Sequence, residues 1–561
     1  MSLAGIAILL FVAANLLFAL FVRTPEGGSE AFALESRAIS GFRLACTMLA
    51  SNLSAFTIFG VSGASYRLGW AYFPVMAFGT AFMAFSFILL GIPLRRLAAA
   101  GSWISPADAI RDRFGSRMAG VMFSLLLLAY TLPYIATQAG TAGSLIASAL
   151  GIPAWTGSAL VMAVVLLYIL RGGMRSVTNS DIFQLVVMLT LGFAAFVIIA
   201  RTAGGVPSGS SGQEALAAFS RAGKSGGIRL LDLAGYYILW FFADPMFPHL
   251  TQRFFAAKDD RAILQTMSLY PFVSLLIFFS MSAIGVFGSI LEPGLSAKQA
   301  DTIFTVLMMR YGGIAGPVFS MAALAALMST LDSQILSSTS IIVEMMRKRS
   351  RSAGMQSEEE HGRFRLGLYR VAASALAFAG WLISLRPPAT ILGFLSSTSF
   401  LGYASLAPVM LAAIYAPWIG AGTAIAGMLT GVVLVFAQGS GLLKPPIPAV
   451  VLNLLIIALV LFAGGLLLRH TRKSLASQAR FSVGGRFWML LGTFFLLGLD
   501  FWNYRGPVIL FAGIPLWVWY HMLAIAAMGI CFLMFGSLMA GVRRNTASCD
   551  AGHGTQGTCL K

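Results

Sequence analysis

Charge is what this chain has least of. Asp, Glu, Lys and Arg make up 10% of its 561 residues, where a soluble domain carries about 25%. That scarcity excludes an ordinary water-soluble globular enzyme. The sequence holds five histidines and four cysteines. Cys46 and Cys531 lie in apolar runs and Cys549 and Cys559 near the C-terminus, so no disulfide framework is suggested. No HExxH or clustered His/Asp pattern occurs, and serines without a nearby base make poor nucleophiles, which argues against an intramembrane enzyme. No soluble domain is inserted anywhere.

What is abundant is apolar surface. Hydrophobic residues reach 58% and mean hydropathy is +0.84. Apolar runs long enough to cross a bilayer recur at 2–22, 41–65, 69–93, 116–149, 153–171, 182–200, 232–252, 265–290, 313–343, 366–385, 388–415, 418–437, 447–468, 485–502 and 508–541. The pattern predicts an all-α polytopic membrane protein with about 15 spans. Runs 116–149 and 508–541 exceed the ~20 residues a span needs and are expected to tilt or break. The first run lacks a basic leader and a small-residue cleavage site, so it reads as a retained helix.

The net charge of +18 would suit a nucleic-acid partner, but its distribution argues otherwise. Of 38 Lys and Arg, 27 lie in or beside the connections that follow odd-numbered spans or in the tail, 10 lie on the opposite side, and Arg370 falls within a span. This is the positive-inside pattern, with the N-terminus outside and the C-terminus cytoplasmic. Membrane lipid is the partner that basicity implies, through anionic head groups; nucleic acid and an obligate protein partner are not indicated. The connections 201–230 (Gly/Ser-rich) and 344–365 (with the basic run Arg347–Arg351) read as solvated loops. In the tail, Cys549, His553 and Cys559 match no structural zinc spacing, and a disordered segment is expected over 542–561.

Two spans carry interruptions. Span two contains ASNLSAFTIFGVSGAS (Ala50–Ser65), with Gly60, Gly63 and several small polar residues. Span seven contains WFFADPMFPHLTQR (Trp240–Arg253), with Pro245 and Pro248 in mid-segment, where proline must break or kink a helix. The two are five spans apart. They would open two five-helix units, 41–200 and 232–416, and an odd unit length inverts the second relative to the first. Interrupted helices opening inverted repeats mark the site of a secondary transporter. Flanking them are a first span and loop (1–40), an external loop (201–231), two peripheral spans (417–470) and a two-span C-terminal extension (471–541).

The segment Ala326–Ser340, ALMSTLDSQILSSTS, is a polar stripe inside an apolar run. Ala326, Ser329, Thr330, Ser333, Ser337 and Ser340 fall on one helical face within an arc of about 100°. Hydroxyl and carbonyl oxygens without His or Cys suit a hard cation such as sodium. Asp332 beside them is costly in a bilayer unless partnered; taken singly, serines in such helices also bond their own backbone or pack helix to helix.

These segments together resemble the sodium:solute symporter family, over about residues 1–470. ASNLSAFTIFGVSG resembles its first core helix, GGMRSVTNSDIFQ (Gly172–Gln184) its characteristic loop, FPHLTQRFFAAKD (Phe247–Asp259) its PH-x-x-x-R segment, and MSTLDSQILSSTSIIVE (Met328–Glu344) its sodium-site helix. The resemblance implies the leucine-transporter fold of inverted five-helix repeats. It places a sodium site on backbone oxygens of Ala50, Leu53 and Ala326 and the hydroxyls of Ser329 and Thr330. Some members have a second sodium site, whose positions here are Asp181, Ser329, Asp332 and Ser333. Asp332 stands where a serine is frequent, in a string similar to the M-S-T-x-D-S-Q of the pantothenate and monocarboxylate branches, and could strengthen cation binding or take a proton. By the same resemblance Ser54, Thr57 and Trp240 line the substrate cavity, between spans two, seven and eleven. Asp244 has no family role; as an intramembrane carboxylate it is a substrate-site candidate, or equally a cap for the half-helix that starts at the Pro245 break. On span eleven, Ser396–Ser399 and Tyr403 are further candidates. His249 is expected to make a hydrogen bond at the helix break. FWNYRGPVILFAGIPLWVWYHML (Phe501–Leu523) resembles a small two-span protein type found beside such symporters.

The expected function is sodium-coupled symport of a small organic solute, an organic acid or amino-acid-like, by alternating access in a bacterial cytoplasmic membrane, without a cofactor. Proton coupling is the alternative within this class. A membrane sensor is the alternative outside it, and the roughly 20 residues after Ala540 leave such a sensor no output domain.

Overall fold

A computed structural model describes residues 3–20, 22, 28–204, 217–224, 227–346, 358–386, 399–468, 483–504 and 507–540. It is almost entirely helical, as the apolar periodicity predicts. In chain order the helices are α1 Leu3–Leu20, α2 Gly28–Leu34, α3 Gly41–Asn52, α4 Val61–Leu68, α5 Tyr72–Met83, α6 Ile92–Gly101, α7 Pro106–Phe114, α8 Arg117–Leu150 and α9 Ala154–Ala203. After the connection follow α10 Leu230–Ala243, α11 Pro248–Ala256, α12 Asp260–Leu291, α13 Ala297–Ala300, α14 Ile303–Tyr311, α15 Ser320–Met345, α16 Glu358–Ser384, α17 Leu401–Tyr415, α18 Ala421–Gly439, α19 Ala449–Leu467, α20 Gly485–Leu499 and α21 Leu516–Met539.

Both expected interruptions are present. Span two stops at Asn52, Leu53 is extended (φ −83°, ψ 90°), and the chain resumes in a wide π-helical turn, Phe56–Gly60, that leads into α4. The cause is local competition for the backbone. Ser54 Oγ accepts from the Phe56 N–H, 3.1 Å, and the Ser54 carbonyl from the Thr57 N–H, 2.9 Å. Span seven ends at Ala243, passes through one tight turn, Asp244–Met246, and restarts at Pro248. The ring of Pro248 keeps Phe247 out of the helical region (ψ 125°), while its own missing N–H is harmless at a helix start. The segment leading into α3 and the end of α11 are tied by a parallel bridge, Ile39 N–H to Ala256 O at 3.2 Å and Lys258 N–H to Ile39 O at 3.0 Å.

One expectation needs revision. The connection predicted over 172–181 shrinks to a kink at Gly173 (φ 54°, ψ −137°), where the two helices of spans five and six meet within the run labelled α9, and Asp181 sits on the second of them. The run 508–541 breaks, as its length predicts: 510–515 make a two-stranded hairpin, Leu510–Phe511 with Ile514–Pro515, and the helix begins at Leu516. By contrast 116–149 stays a single helix, α8, with Pro133 inside it. Among the described residues nine helical runs are long and apolar enough to cross a membrane. That number is below 15 because the breaks leave short halves and some runs, α9 among them, carry two predicted spans.

The core surrounds α15, every residue of which from Ala322 to Ile341 is buried. α15 packs on α8, α9 and α16, while α12 packs on α3, α4, α5 and α21. The lipid-facing side is marked by exposed apolar residues such as Leu167, Phe378, Phe436 and Leu459. Residues 347–357 of the expected loop 344–365, Ser396–Thr398 of span eleven, and the tail with Cys549, His553 and Cys559 lie outside the described residues.

Candidate functional site

The break in span two presents carbonyl oxygens with no partner in their own helix, since the last turn of any helix leaves them free. The polar stripe of α15 faces them. Ser329 Oγ donates to Ala50 O at 2.8 Å and contacts Ala326 O at 3.2 Å. Thr330 Oγ1 donates to Ser51 O and contacts Ala326 O, both at 3.1 Å. Four of the five expected sodium ligands, Ala50, Ala326, Ser329 and Thr330, therefore meet at one point. The fifth, Leu53, stands at the break itself, in the extended conformation that takes its carbonyl out of the helical ladder. Every donor atom is a neutral oxygen, from backbone or hydroxyl, and all four residues that the structure brings together are fully buried. Such a set fits a hard alkali cation.

One helical turn further along α15 lies a charged cluster. Arg253 of α11, wholly buried, places Nη2 2.9 Å from Asp181 Oδ2 and 2.6 Å from Ser333 Oγ. Its Nε reaches Thr47 Oγ1 at 2.9 Å and its Nη1 the His249 carbonyl at 2.9 Å. Thr47 also donates to Asp181 Oδ2. Asp332 accepts from Tyr168 (2.5 Å), Ser180 (3.3 Å) and Ser333 (3.0 Å). Asp181, Asp332 and Ser333 are thus brought together, but around a guanidinium. Ser337 and Ser340 bond within α15 to Gln334 O and Leu336 O, and Ser340 also accepts from Gln252.

Arg253 enters the sequence reading only as the R of the PH-x-x-x-R segment, with no role attached to it. The apolar run of span seven reads as ending at Gln252, one position short of it. A signal is nonetheless present: Arg253 precedes the apolar Phe254, Phe255 and Ala256 and follows the Pro248 restart by five residues, a place where a charge is buried. Thr47 is equally readable, since Thr47, Ser51 and Ser54 recur at the i, i+4, i+7 spacing of one helix face.

On the other side of the breaks the substrate candidates also converge. Ser54 Oγ lies 2.8 Å from Tyr134 OH. Trp240 packs against Phe56 and Phe400, with centroids 6.0 and 5.2 Å apart, and Phe247 joins Phe400 and Tyr403 at 5.6 and 4.9 Å. Gly79 makes room for the indole: a Cβ there would sit 2.5 Å from Trp240 Cδ1. The indole N–H is spent on Val75 O at 3.0 Å, so Trp240 offers a ring face and edge. Thr57 is buried in the π-helical turn that carries Phe56. Asp244, 3% exposed, accepts from Asn52 Nδ2 at 3.2 Å and makes no cap bond to the half-helix at Pro248. Of the span-eleven candidates that are described, Ser399 bonds Tyr130 O at 3.0 Å and Tyr403 bonds Thr131 Oγ1 at 2.6 Å. The His249 ring stacks on Phe247, and its carbonyl, not its ring, serves the break.

Comparison with known proteins points to one family. Residues 32–431 match the sodium:solute symporter family. The sodium/pantothenate symporter of Escherichia coli (strain K12) is 26% identical over 407 residues, 72% of this chain and 82% of its own length. Sodium/proline symporter 2 of Staphylococcus saprophyticus is 24% identical over 423 residues, 74% of this chain and 81% of its own. Among solved structures, a substrate-bound, outward-open Na+-coupled sialic acid symporter superposes with a TM-score of 0.68 at 16% identity, over 84% of this chain and 99% of that one. A nucleobase-cation-symport-1 family transporter in a closed conformation superposes with a TM-score of 0.51 at 14% identity, over 79% and 96%. At such identities the structural likeness carries the fold. The family match ends before α19, so α19, α20 and α21 lie beyond it.

Proposed function

The chain belongs to the sodium:solute symporter family, and from that premise we propose that it carries a small organic solute across the membrane together with sodium, by alternating access. The observation that carries this reading is the meeting of the Ser329 and Thr330 hydroxyls with the Ala50 and Ser51 carbonyls at the break of span two. Sodium taken up by Ala50, Leu53, Ala326, Ser329 and Thr330 joins α15 to α3, and the broken helices then close on the solute. The inverted units 41–200 and 232–416 supply the two bodies that rock. The N-terminus faces outside and the C-terminus the cytoplasm, in a bacterial cytoplasmic membrane.

The solute is an organic acid or an amino-acid-like compound. The relatives named above carry pantothenate and proline, each with a carboxylate. In this chain the aromatic group of Phe56, Trp240, Phe247 and Phe400 would enclose the solute's apolar body. Ser54, Thr57 and Asp244 supply polar contacts, Asp244 for an amino group. The solute's carboxylate relies on half-helix N-termini, which attract anions.

The test is uptake by proteoliposomes of the purified protein, screened over radiolabelled carboxylates and amino acids under a sodium or a proton gradient. Sodium-driven accumulation of one of them is expected. Accumulation that follows a proton gradient and ignores sodium would replace sodium by proton coupling.

A further inference from the structure

We propose that Arg253 is a tethered cation that takes the place of a second sodium ion and fixes the number of coupling ions at one. The inference rests on the sodium-symport reading and adds the ion count to it.

Two layers lie one helical turn apart along α15. In the first, around Ser329 and Thr330, every ligand is a neutral oxygen, so a sodium ion there brings a full positive charge into the protein interior. In the second, Asp181, Asp332 and Arg253 are all buried to 0% exposure. With both carboxylates ionised, the form that the three hydroxyl donors around Asp332 favour, the pair against one guanidinium leaves a single negative charge. One sodium ion in the first layer cancels it. Buried charge is tolerated when it is paired and hydrogen-bonded, and a second sodium ion would leave this region with an unpaired positive charge.

Ser51 joins the layers physically. Its carbonyl accepts from Thr330 at 3.1 Å, and its hydroxyl contacts Ser333 Oγ at 3.0 Å and Asp181 Oδ2 at 3.5 Å. Most of the polar atoms at the positions that the resemblance assigned to a second sodium ion are already engaged, Asp181 Oδ1 being the exception. Asp181 Oδ2 takes Arg253 and Thr47, Ser333 Oγ takes Arg253 and gives to Asp332, and Asp332 Oδ2 takes Tyr168 and Ser180. The residues present do not fit a second ion while Arg253 stays. A tethered cation differs from an ion in one functional respect: it is never released, so it contributes charge to the site without drawing on the gradient. It also links α11 to α3, α9 and α15, helices of both halves of the transporter.

The experiment is a count of sodium bound per molecule. Purified full-length protein in detergent is titrated with radioactive sodium by scintillation proximity, without solute. Wild type is expected to bind one ion with a Hill coefficient of about 1, the value for a single site. Arg253→Gln, which leaves Asp181 without its counter-charge and with an Oδ1 that makes no hydrogen bond, is expected to bind two. Arg253→Lys keeps the charge and is expected to bind one. Two ions bound by wild type overturn the proposal, as does one ion of unchanged affinity in Arg253→Gln. If Arg253→Gln does not fold, the wild-type count decides. Absence of any sodium binding by wild type defeats the symport reading itself, an outcome distinct from a count of two.

Discussion

Ser329 and Thr330 each hold a hydroxyl where a methyl would pack as well, and each points at a carbonyl of another helix. Ser329→Ala or Thr330→Ala removes one proposed sodium ligand without opening a sizeable cavity. We expect apparent sodium affinity in either variant to fall at least tenfold, a loss of about 1.4 kcal/mol, with solute affinity at saturating sodium unchanged. A sodium titration of uptake checks this; a shift below about twofold would remove these hydroxyls from the site. Asp244→Asn tests the other half. If its carboxylate holds the solute's amino group, the solute KM rises tenfold or more while the sodium titration stays put; an unchanged KM leaves Asp244 as the structural partner of Asn52. The proposed sodium ligands are legible in the sequence because a hydroxyl stripe and a carboxylate are conspicuous in an apolar run. Arg253 is legible only as the R of the PH-x-x-x-R segment, because it stands just past the end of an apolar run, where a charge reads as the start of a loop and not as a group that the fold buries. The aromatic group around Trp240 is half legible: the motif points to Trp240, but Phe400 and Tyr134 look like any membrane aromatic until the fold joins them.

At the scale of elements, the breaks can be read from sequence because proline and local side-chain competition act within a few residues. Asp181 reads as a loop residue for the opposite reason. Gly172 and Gly173 and the polar residues to Ser180 suggest a connection, yet only Gly173 leaves the helical region. Tertiary partners decide the rest: Asp332 accepts from Ser180, and Arg253 and Thr47 bond Asp181 Oδ2, so the polar segment is helical inside the protein. Helix contact is equally specific at α4 and α12. A Cβ on Gly285 would lie 2.2 Å from Ser62 O and 2.8 Å from Ser65 Cβ, so the two helices touch through backbone. Gly285→Ala must push α12 away from α4, the second half of the broken helix. Overpacking of this kind costs about 1–3 kcal/mol, and a lowered thermal midpoint in detergent together with slowed uptake is expected. A variant as stable and as fast as wild type would show that the two helices separate freely.

At the scale of the molecule, the last two helices lie beyond the family match yet are built into the body of the transporter. α21 packs along α12, and α20 contacts α5 and α10. The segment 217–224 is held against them. Arg221 in that segment, 2% exposed in its side chain, faces Asp500 at 3.5 Å and covers the Trp517 ring at 5.1 Å; Trp517 in turn donates to Phe219 O at 3.1 Å. Tyr237 of α10, one turn before Trp240, donates to Gly498 O at 2.9 Å. The extension therefore holds both this segment and α10, the first half of the second broken helix. Nothing in the sequence on either side of this contact announces it, since Arg221 reads as a loop charge and Asp500 as a span end. The pair is buried on both sides, so removing one partner leaves the other charge uncompensated, at a cost of about 3–5 kcal/mol. Arg221→Gln and Asp500→Asn should each lower the thermal midpoint, and the double variant should be less destabilised than the sum of the two, because it buries no lone charge. Thermal unfolding of the four proteins in one detergent reads this directly. Strict additivity would mean that the two groups do not interact, and the extension would then be held by its apolar contacts alone.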